Sequence, residues 1–402
     1  MSPLAAIRPI LQSPPLILAA VLMTLYGAYG ASMLPYVSAI GVNGFGVPHG
    51  VFSVMLIVAA MVSVTASVSL GIHADRTARR RGVALVTTGV MTAGAGVMTF
   101  APSAPAFVLV HGLILPLSNA LFGHLFAFAR LAVSRLPDPA ERLAVQTVLR
   151  ALYALPWVMV LPVWAVAIAA GTPLDTIYPV CFGLAAAMLA MSALWWPRDG
   201  HTPWEDVPSG IGIRQSLREI GDFGVVARVM ALGGISSAAT LYLVLLGLVF
   251  AEAPGRGDSA TALYSGMVAG LEVIFMLALT RIVGRVSQVR LILTGTALYC
   301  VHLAGMPFLA PYGLVWLLPV AAAAGGAIIF TQPMAYMQEL LGNRPGAGAS
   351  LFALMKLFSE GLSAAVFALC TGIAGYGLAA VTGATVAIGS ALALVFMDRR
   401  PR

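Results

Sequence analysis

The sequence predicts an all-α integral membrane protein with about twelve transmembrane helices. Three observations predict this class: hydrophobic residues make up 60% of the 402 positions, charged residues make up only 9%, and the charges cluster between long apolar runs. A soluble domain of this length carries roughly 25% charged residues. A chain this apolar cannot cover its surface with charge, so we expect lipid around most of it.

Twelve apolar runs are each long enough to cross a hydrocarbon core of about 30 Å, which takes roughly 20 helical residues. Spans 1 to 6 are predicted at residues 14–40, 48–71, 82–101, 104–132, 143–170 and 174–196, and spans 7 to 12 at 225–251, 259–281, 289–309, 312–337, 349–374 and 376–397. Runs such as Met55–Val62 and Leu317–Ala324 are apolar on every side. Strands of a membrane β-barrel would instead alternate polar and apolar residues, so helices are expected.

The distribution of arginine predicts the orientation, because basic residues in short loops stay on the cytoplasmic side. Counted from a cytoplasmic N-terminus, the odd-numbered connections carry only Arg256, whereas every even-numbered connection is basic. The arginines of the even connections are Arg76, Arg79, Arg80, Arg81, Arg135, Arg142, Arg198, Arg214, Arg218, Arg285, Arg290 and Arg344. Both termini are also basic and are expected in the cytoplasm. The net charge of +7 then follows from topology and requires no nucleic-acid partner.

The longest polar stretch, Pro197–Gly224, separates six predicted spans from six. We therefore predict an N-terminal six-helix half at 1–196, a cytoplasmic linker at 197–224 and a C-terminal six-helix half at 225–402. Within the linker, Ile211–Ile220 is weakly amphipathic and is expected either on the membrane surface or as a solvated helix. Two parallel halves are favoured by a weak internal correspondence: basic loops follow spans 2 and 8, and spans 5 and 11 each carry one basic residue.

The loop Gly71–Gly82 carries the most specific motif. It reads Gly-Ile-His-Ala-Asp-Arg-Thr-Ala-Arg-Arg-Arg-Gly and resembles the signature between spans 2 and 3 of the major facilitator superfamily, Gly-x-x-x-Asp-Arg-x-Gly-Arg-Arg/Lys. The matching residues are Gly71, Asp75, Arg76, Arg79 and Arg80, while Ala78 stands where the family has its second Gly. The resemblance implies a major facilitator fold that works by alternating access. It also implies that this loop is a gate element, with Asp75 near a helix N-terminus and basic partners.

A second stretch, Tyr336–Phe352, resembles the loop between spans 10 and 11 of bacterial sugar-efflux (Set-type) transporters, in an aromatic-x-Gln-acidic run followed by Arg-Pro-Gly. Glu141-Arg142, Leu149–Ala151 and Leu271–Val273 are also similar to that family. The resemblance implies a monomeric antiporter of the bacterial cytoplasmic (inner) membrane that exports sugars or sugar-like molecules against protons. The alternative is a proton-linked exporter of drugs or other small metabolites, although the Gly-Pro rich motif of drug antiporters is missing from span 5.

Four ionisable residues lie at membrane depth, where a charge costs about 3 kcal/mol and usually faces the bundle interior. They are Arg150 in span 5, Glu272 in span 8, and Lys356 and Glu360 in span 11. We predict that Glu272 binds sugar hydroxyls or carries the coupled proton and that it pairs with Arg150 in one state; a permanent structural pair is the alternative. Lys356 and Glu360 are four residues apart, so they either neutralise each other or serve the cavity.

Sugar recognition requires hydrogen-bonding groups and an aromatic face, which six further polar or aromatic residues in the spans offer. These candidates are Tyr26, Asn119, Gln146, Tyr153, Gln332 and Tyr336. Gln146 and Tyr153 flank Arg150 on one face of span 5. For each lone residue the alternative is an interhelical hydrogen bond of about 0.6 kcal/mol. Trp195, Trp196 and Trp204 are expected in the aromatic belt at the membrane interface.

The sequence offers no pattern typical of a cofactor enzyme. The three cysteines lie inside predicted spans and have no metal-ligand spacing, and His111 and His124 point to separate faces of span 4 instead of forming a haem pair. There is no Gly-x-x-x-x-Gly-Lys-Ser/Thr run for ATP. We therefore expect a gradient-driven transporter without a cofactor, whose partners are a small-molecule substrate, protons and the lipid bilayer. A non-transporting receptor is the alternative from another class.

Overall fold

The computed structural model describes residues 3–202, 204, 223–279, 281–282, 285–341 and 347–398. Helices account for nearly all of these residues, and no β-strand occurs among them, so the all-α prediction is confirmed. The predicted linker helix Ile211–Ile220 lies outside the described residues, as does the Arg-Pro-Gly part of the stretch Tyr336–Phe352.

The described residues up to Trp195 form nine helices, of which the first precedes predicted span 1 and the other eight correspond to spans 1 to 6. In chain order these are α1 (Pro3–Gln12), α2 (Pro14–Met33), α3 (His49–Thr77), α4 (Arg80–Phe100), α5 (Ala104–Leu109), α6 (Leu115–Ser118), α7 (Ala120–Val133), α8 (Pro139–Ala169) and α9 (Ile177–Trp195). Short 3₁₀ turns lie at Leu34–Tyr36 and Leu174–Thr176, and π-helical turns at Ala39–Gly44 and Val110–Ile114.

The remainder of the described chain forms six helices. They are α10 (Phe223–Glu252), α11 (Asp258–Leu279), α12 (Gln288–Leu309), α13 (Leu318–Ile329), α14 (Gln332–Leu341) and α15 (Ala347–Asp398), with a 3₁₀ turn at Gly313–Leu317 before α13. Predicted span 10 is thus broken, because α13 ends at Ile329 and α14 begins at Gln332.

Eleven stretches of the described residues are long and apolar enough to cross a membrane. The last of them, Leu351–Asp398, has 48 residues, which is about twice the length that one crossing requires. The helical backbone of α15 is interrupted at Ala374 and Gly375, where Gly375 has φ 76°. This break lies where predicted spans 11 and 12 meet, and the count of twelve stays a prediction.

The chain forms two compact units. Unit 1 comprises Met1–Met33, Thr65–Leu161 and Asp175–Gly212, and unit 2 comprises Leu34–Val64, Pro162–Leu174 and Ile213–Arg402. The predicted division into halves at 1–196 and 225–402 with a linker at 197–224 stays a prediction.

Glycine permits the closest helix contact that positions a candidate residue in unit 1. At Gly27 in α2, an added Cβ would collide with the backbone carbonyl oxygen of Tyr153 in α8. A side chain at Gly27 would push these helices apart, so Gly27 sets how near Tyr26 and Tyr153 lie to each other.

In unit 2, α10 packs against both arms of α15. A Cβ at Gly233 would lie 2.8 Å from the Met355 carbonyl oxygen, and one at Gly234 would collide with the Ser390 side chain. Met355 precedes the break in α15 and Ser390 follows it. Both arms therefore depend on the small residues of α10 for close packing.

Candidate functional site

Four aromatic rings and one guanidinium group meet between α2, α7 and α8. Tyr26 and Tyr153 stack with ring centroids 6.1 Å apart and an interplanar angle of 27°. The rings of Phe122 and Tyr153 meet edge to face at 5.3 Å, and Phe126 lies edge to face against Phe122 at 4.9 Å. The Arg150 Cζ atom lies 5.9 Å from the centroid of Phe126. We call Tyr26, Phe122, Phe126, Arg150 and Tyr153 the ring cluster.

The ring cluster combines apolar ring faces, two phenolic hydroxyls and one cation. Arg150 is exposed and forms no ion pair with the described residues of unit 1, so its charge is available to a ligand or to a carboxylate. Gln146, one turn before Arg150 in α8, is half-buried beside it. A neutral ring with hydroxyl groups suits such a site, because aromatic faces take its apolar side and polar groups take the hydroxyls.

Asn119 lies at an interruption of predicted span 4. The helix passes through the π-helical turn Val110–Ile114 and ends at Ser118, and α7 begins at Ala120. Such turns inside helices are frequent at functional sites. Asn119 is half-buried at this break and lies about one helical turn before the ring-cluster residue Phe122.

Glu272 lies in α11 of unit 2, and its Oε1 atom is buried without a hydrogen-bond partner among the described residues. The carboxylate packs against α13 at Gly326, where an added Cβ would lie 2.5 Å from Oε1. It also interacts electrostatically with Tyr242 and Tyr299. Arg150 belongs to unit 1, so its pairing with Glu272 stays a prediction.

The remaining candidates make local contacts in unit 2. The Lys356 Nζ and Glu360 Oε1 atoms are 3.6 Å apart in α15, with both side chains partly exposed. Gln332 is buried at the break between α13 and α14, where its amide donates to the Thr331 hydroxyl at 3.4 Å. The Tyr336 hydroxyl donates to Asp398 at 2.9 Å, and Arg228 Nε is 3.9 Å from the same carboxylate oxygen. Tyr336 therefore joins the end of α15 to α14.

The loop that resembles the major facilitator signature is a two-residue turn in unit 1. α3 ends at Thr77 and α4 begins at Arg80. Ala78 has φ 53°, the left-handed conformation that the second Gly of the motif adopts without strain. The Asp75 carboxylate accepts a hydrogen bond of 3.0 Å from Arg80 at the first turn of α4, while Gly71, Arg76 and Arg79 are exposed.

Side chains beneath this turn hold it to the rest of unit 1. The His124 Nε2 atom bonds the Arg80 carbonyl oxygen at 2.7 Å, and the ring of His124 stacks on Trp196 with an interplanar angle of 8°. Trp196 and Trp204 are 4% and 7% exposed. The expected position in the interfacial belt is therefore wrong for these two, because Phe128 and His124 provide aromatic partners inside the unit, whereas Trp195 is 63% exposed.

Sequence reasoning missed Phe122, Phe126, Tyr242 and His302. The first two complete the ring cluster, and the others lie in a buried polar cluster of unit 2 described below. The four-residue spacing of Phe122 and Phe126 in span 4 was the one available signal, and it is equally typical of ordinary helix packing.

Comparison with known proteins identifies the fold to which this arrangement of helices belongs. No family model matches the chain. Over 371 residues, covering 92% of this chain and 94% of the relative, it is 24% identical to a Deinococcus radiodurans protein named "Putative sugar efflux transporter". The crystal structure of nucleoside transporter NupG superposes with a TM-score of 0.76 at 13% identity, covering 96% of this chain and 99% of that chain.

An auto-inhibited peptide transporter of the POT family superposes with a TM-score of 0.70 at 12% identity, covering 96% of this chain and 97% of that chain. The chain has the major facilitator fold. The prediction made from Gly71–Gly82 is thereby confirmed at the level of the fold. The major facilitator fold also accounts for the many apolar helices, since it is a multi-pass membrane architecture.

Proposed function

We propose that this protein is a secondary transporter that exports sugars or sugar-like small molecules by alternating access, coupled to protons. The observation that carries the substrate class is the ring cluster, in which stacked tyrosines lie beside Arg150 and polar Gln146. The similarity to the Deinococcus protein over nearly the whole of both chains supports the same class. Under this proposal the protein acts as a monomer in the bacterial inner membrane, with both termini in the cytoplasm.

The buried carboxylate of Glu272 supports proton coupling. A carboxylate oxygen without a partner is costly inside a membrane protein, and it is retained where the group exchanges a proton or a ligand. Glu272 is therefore the proposed coupling residue, and Arg150, Gln146, Tyr153, Tyr26 and Asn119 are the proposed substrate contacts.

The test uses everted membrane vesicles, in which an exporter takes up its substrate. Uptake of radiolabelled lactose and glucose is measured with and without an imposed acid interior. We expect gradient-dependent uptake in vesicles containing the protein and none in empty vesicles. Tyr153→Ala should raise KM by roughly 2- to 10-fold, because an aromatic contact is worth about 0.5–1.5 kcal/mol. Tyr312→Phe, at a residue that is 62% exposed, is the matched control and should transport as the parent does.

Two other substrate classes are measured in the same vesicles. A cationic dye tests the alternative of a multidrug or other small-metabolite exporter. Uridine tests nucleosides, since stacked rings also bind a nucleobase and the fold matches that of a nucleoside transporter. Movement of dye or uridine without movement of sugar would overturn the sugar proposal and leave the transporter proposal standing.

A further inference from the structure

Unit 2 contains a polar cluster of its own, buried between α10, α11 and α12. At its centre is His302 of α12, which is 0% exposed. Its Nδ1 atom and the Tyr264 hydroxyl are 2.9 Å apart. The rings of Tyr242 and Tyr299 meet the imidazole edge to face at 4.8 and 5.4 Å. With Ser265, these residues form what we call the His302 cluster.

Two buried polar atoms in and beside this cluster have no hydrogen-bond partner among the described residues. They are His302 Nε2 and Glu272 Oε1, whereas the hydroxyls of Tyr242 and Ser265 pair with each other. Buried polar groups are nearly always satisfied, so each exception requires an explanation. Apolar residues of similar size would pack the same space at lower cost. Two such atoms beside a pair of buried hydroxyls, on three neighbouring helices, therefore indicate a site that exchanges its partners.

The His302 cluster and Glu272 are connected through α11, which carries both Ser265 and Glu272. The ring of Tyr242 packs on His302. Tyr242 also interacts electrostatically with Glu272. Its hydroxyl is also adjacent to that of Ser265. Ser265 and Glu272 are seven residues apart, so they lie on the same face of α11, separated by about 10 Å along its axis. Hydroxyl groups bridge such distances with the help of buried water.

We propose that His302 is a second proton site of this transporter, and that the hydroxyls of Tyr242 and Ser265 carry the proton between His302 Nε2 and the Glu272 carboxylate. This inference rests on the proposed proton-coupled function. Nδ1 is engaged by Tyr264, so Nε2 is the ring nitrogen that exchanges. In the forward step the imidazolium releases the Nε2 proton, each hydroxyl accepts one proton and donates its own, and the carboxylate accepts the last. The imidazole ends neutral and Glu272 ends as the acid.

The surroundings of His302 favour proton transfer over binding of a metal cation. The titratable groups that face it are Tyr242 from α10, Tyr264 from α11 and Tyr299 on its own helix. No Asp, Glu, Lys or Arg of the described residues forms an ion pair or hydrogen bond with it. Phenols and an imidazole exchange protons readily. No group of three His, Cys, Asp or Glu among the described residues is arranged to hold a metal.

The decisive experiment separates the coupled step from substrate movement. Each variant is assayed for pH-gradient-driven sugar accumulation and for counterflow, in which labelled sugar exchanges for unlabelled sugar without net proton movement. His302→Gln and Tyr242→Phe should each lower gradient-driven accumulation by about tenfold or more and leave counterflow within roughly twofold of the parent. Tyr242→Phe retains the ring and removes only the hydroxyl, so it remains informative if His302→Gln fails to fold.

A matched control exists in unit 1. His111 is also buried, at 8% exposed, but its Nε2 atom, unlike that of His302, has a partner, the Tyr178 hydroxyl at 3.0 Å. His111→Gln should leave the ratio of accumulation to counterflow unchanged. Normal accumulation in both His302→Gln and Tyr242→Phe would overturn the inference, as would accumulation driven by sodium in place of protons. Failure of the parent protein to move sugar in either assay would instead overturn the proposed function.

Discussion

At the scale of single residues, Ala78 is the position where the chain departs from the superfamily signature and retains its geometry. Its φ of 53° lies in the left-handed region, where the Cβ of an L-residue crowds the backbone at a cost of roughly 1–2 kcal/mol. The turn between α3 and α4 is therefore made at a cost that the usual Gly would avoid. A substitution that removes the cost tests this directly.

Ala78→Gly is expected to stabilise the protein by about 1 kcal/mol, because Gly adopts this conformation without strain. The measurement is thermal unfolding in detergent, where the midpoint should rise by roughly 1–2 °C. Ala74→Gly is the control of opposite sign, since Ala74 lies inside α3 and a helical Gly costs about 1 kcal/mol. An equal fall in both variants would contradict the strain argument.

Gly326 is the second informative residue, because it leaves room for the Glu272 carboxylate. Gly326→Ala would place a Cβ 2.5 Å from Oε1 and should displace the carboxylate, at a cost of about 1–3 kcal/mol. We expect proton-driven uptake to fall by about tenfold. Gly389→Ala, where an added Cβ meets nothing within 4 Å, should transport normally. Unchanged uptake in Gly326→Ala would show that the carboxylate position is not important for coupling.

The sequence predicted some of these residues and not others for a physical reason. Glu272 and Arg150 are predictable because a charge at membrane depth is costly, and Asp75 because a motif contains it. Phe122 and Tyr242 are not, because aromatic residues are ordinary in transmembrane helices. Their roles depend on which helices meet at their depth, and periodicity does not encode that information.

At the scale of helices, the interruptions are the feature that sequence periodicity could not locate. Predicted span 4 contains a π-helical turn and a break at Asn119, and span 10 breaks between Ile329 and Gln332. Both runs are apolar throughout, so they read as continuous helices. Spans 4 and 10 hold the same place in the two predicted halves, and interruptions at corresponding positions of repeats are typical of a binding site. The close approach of α2 and α8 is equally hidden, because Gly27 resembles many other glycines.

Gly27→Ala should force α2 away from α8 and separate the stacked tyrosines of the ring cluster. We expect a rise in the sugar KM and a loss of stability of about 1–3 kcal/mol, with counterflow and thermal unfolding as the measurements. Gly123→Ala in α7 is the matched control, because its added Cβ meets nothing within 4 Å. A variant that loses stability but retains its KM would show that the spacing of α2 and α8 is structural only.

At the scale of the whole molecule, the fold class followed from composition alone, whereas the orientation in the membrane rests on arginine positions. The three cysteines of the chain are buried, so an introduced cysteine can be labelled against a low background. Ser134 and Tyr312 are both exposed; Ser134 follows predicted span 4, and Tyr312 is the first residue of predicted span 10, directly after the connection that follows span 9.

Ser134→Cys should react with a membrane-impermeant maleimide only in everted vesicles, and Tyr312→Cys only in intact cells, because even-numbered connections are predicted on the cytoplasmic side. The measurement is labelling of the purified protein from each preparation. The parent protein is the control for background. The reverse pattern would place both termini outside the cytoplasm.

The packing of α10 against both arms of α15 has a consequence for synthesis of the protein in the cell. Gly234 packs on Ser390, which leaves the ribosome about 160 residues later, so α10 waits roughly 8–30 s at 5–20 residues per second before its final neighbour exists. During that interval its small, close-packing face meets lipid or the insertion machinery. A message truncated before codon 390 would leave Gly234 without the Ser390 side chain that packs on it, so we expect membrane proteases to remove such chains even though the preceding helices have inserted.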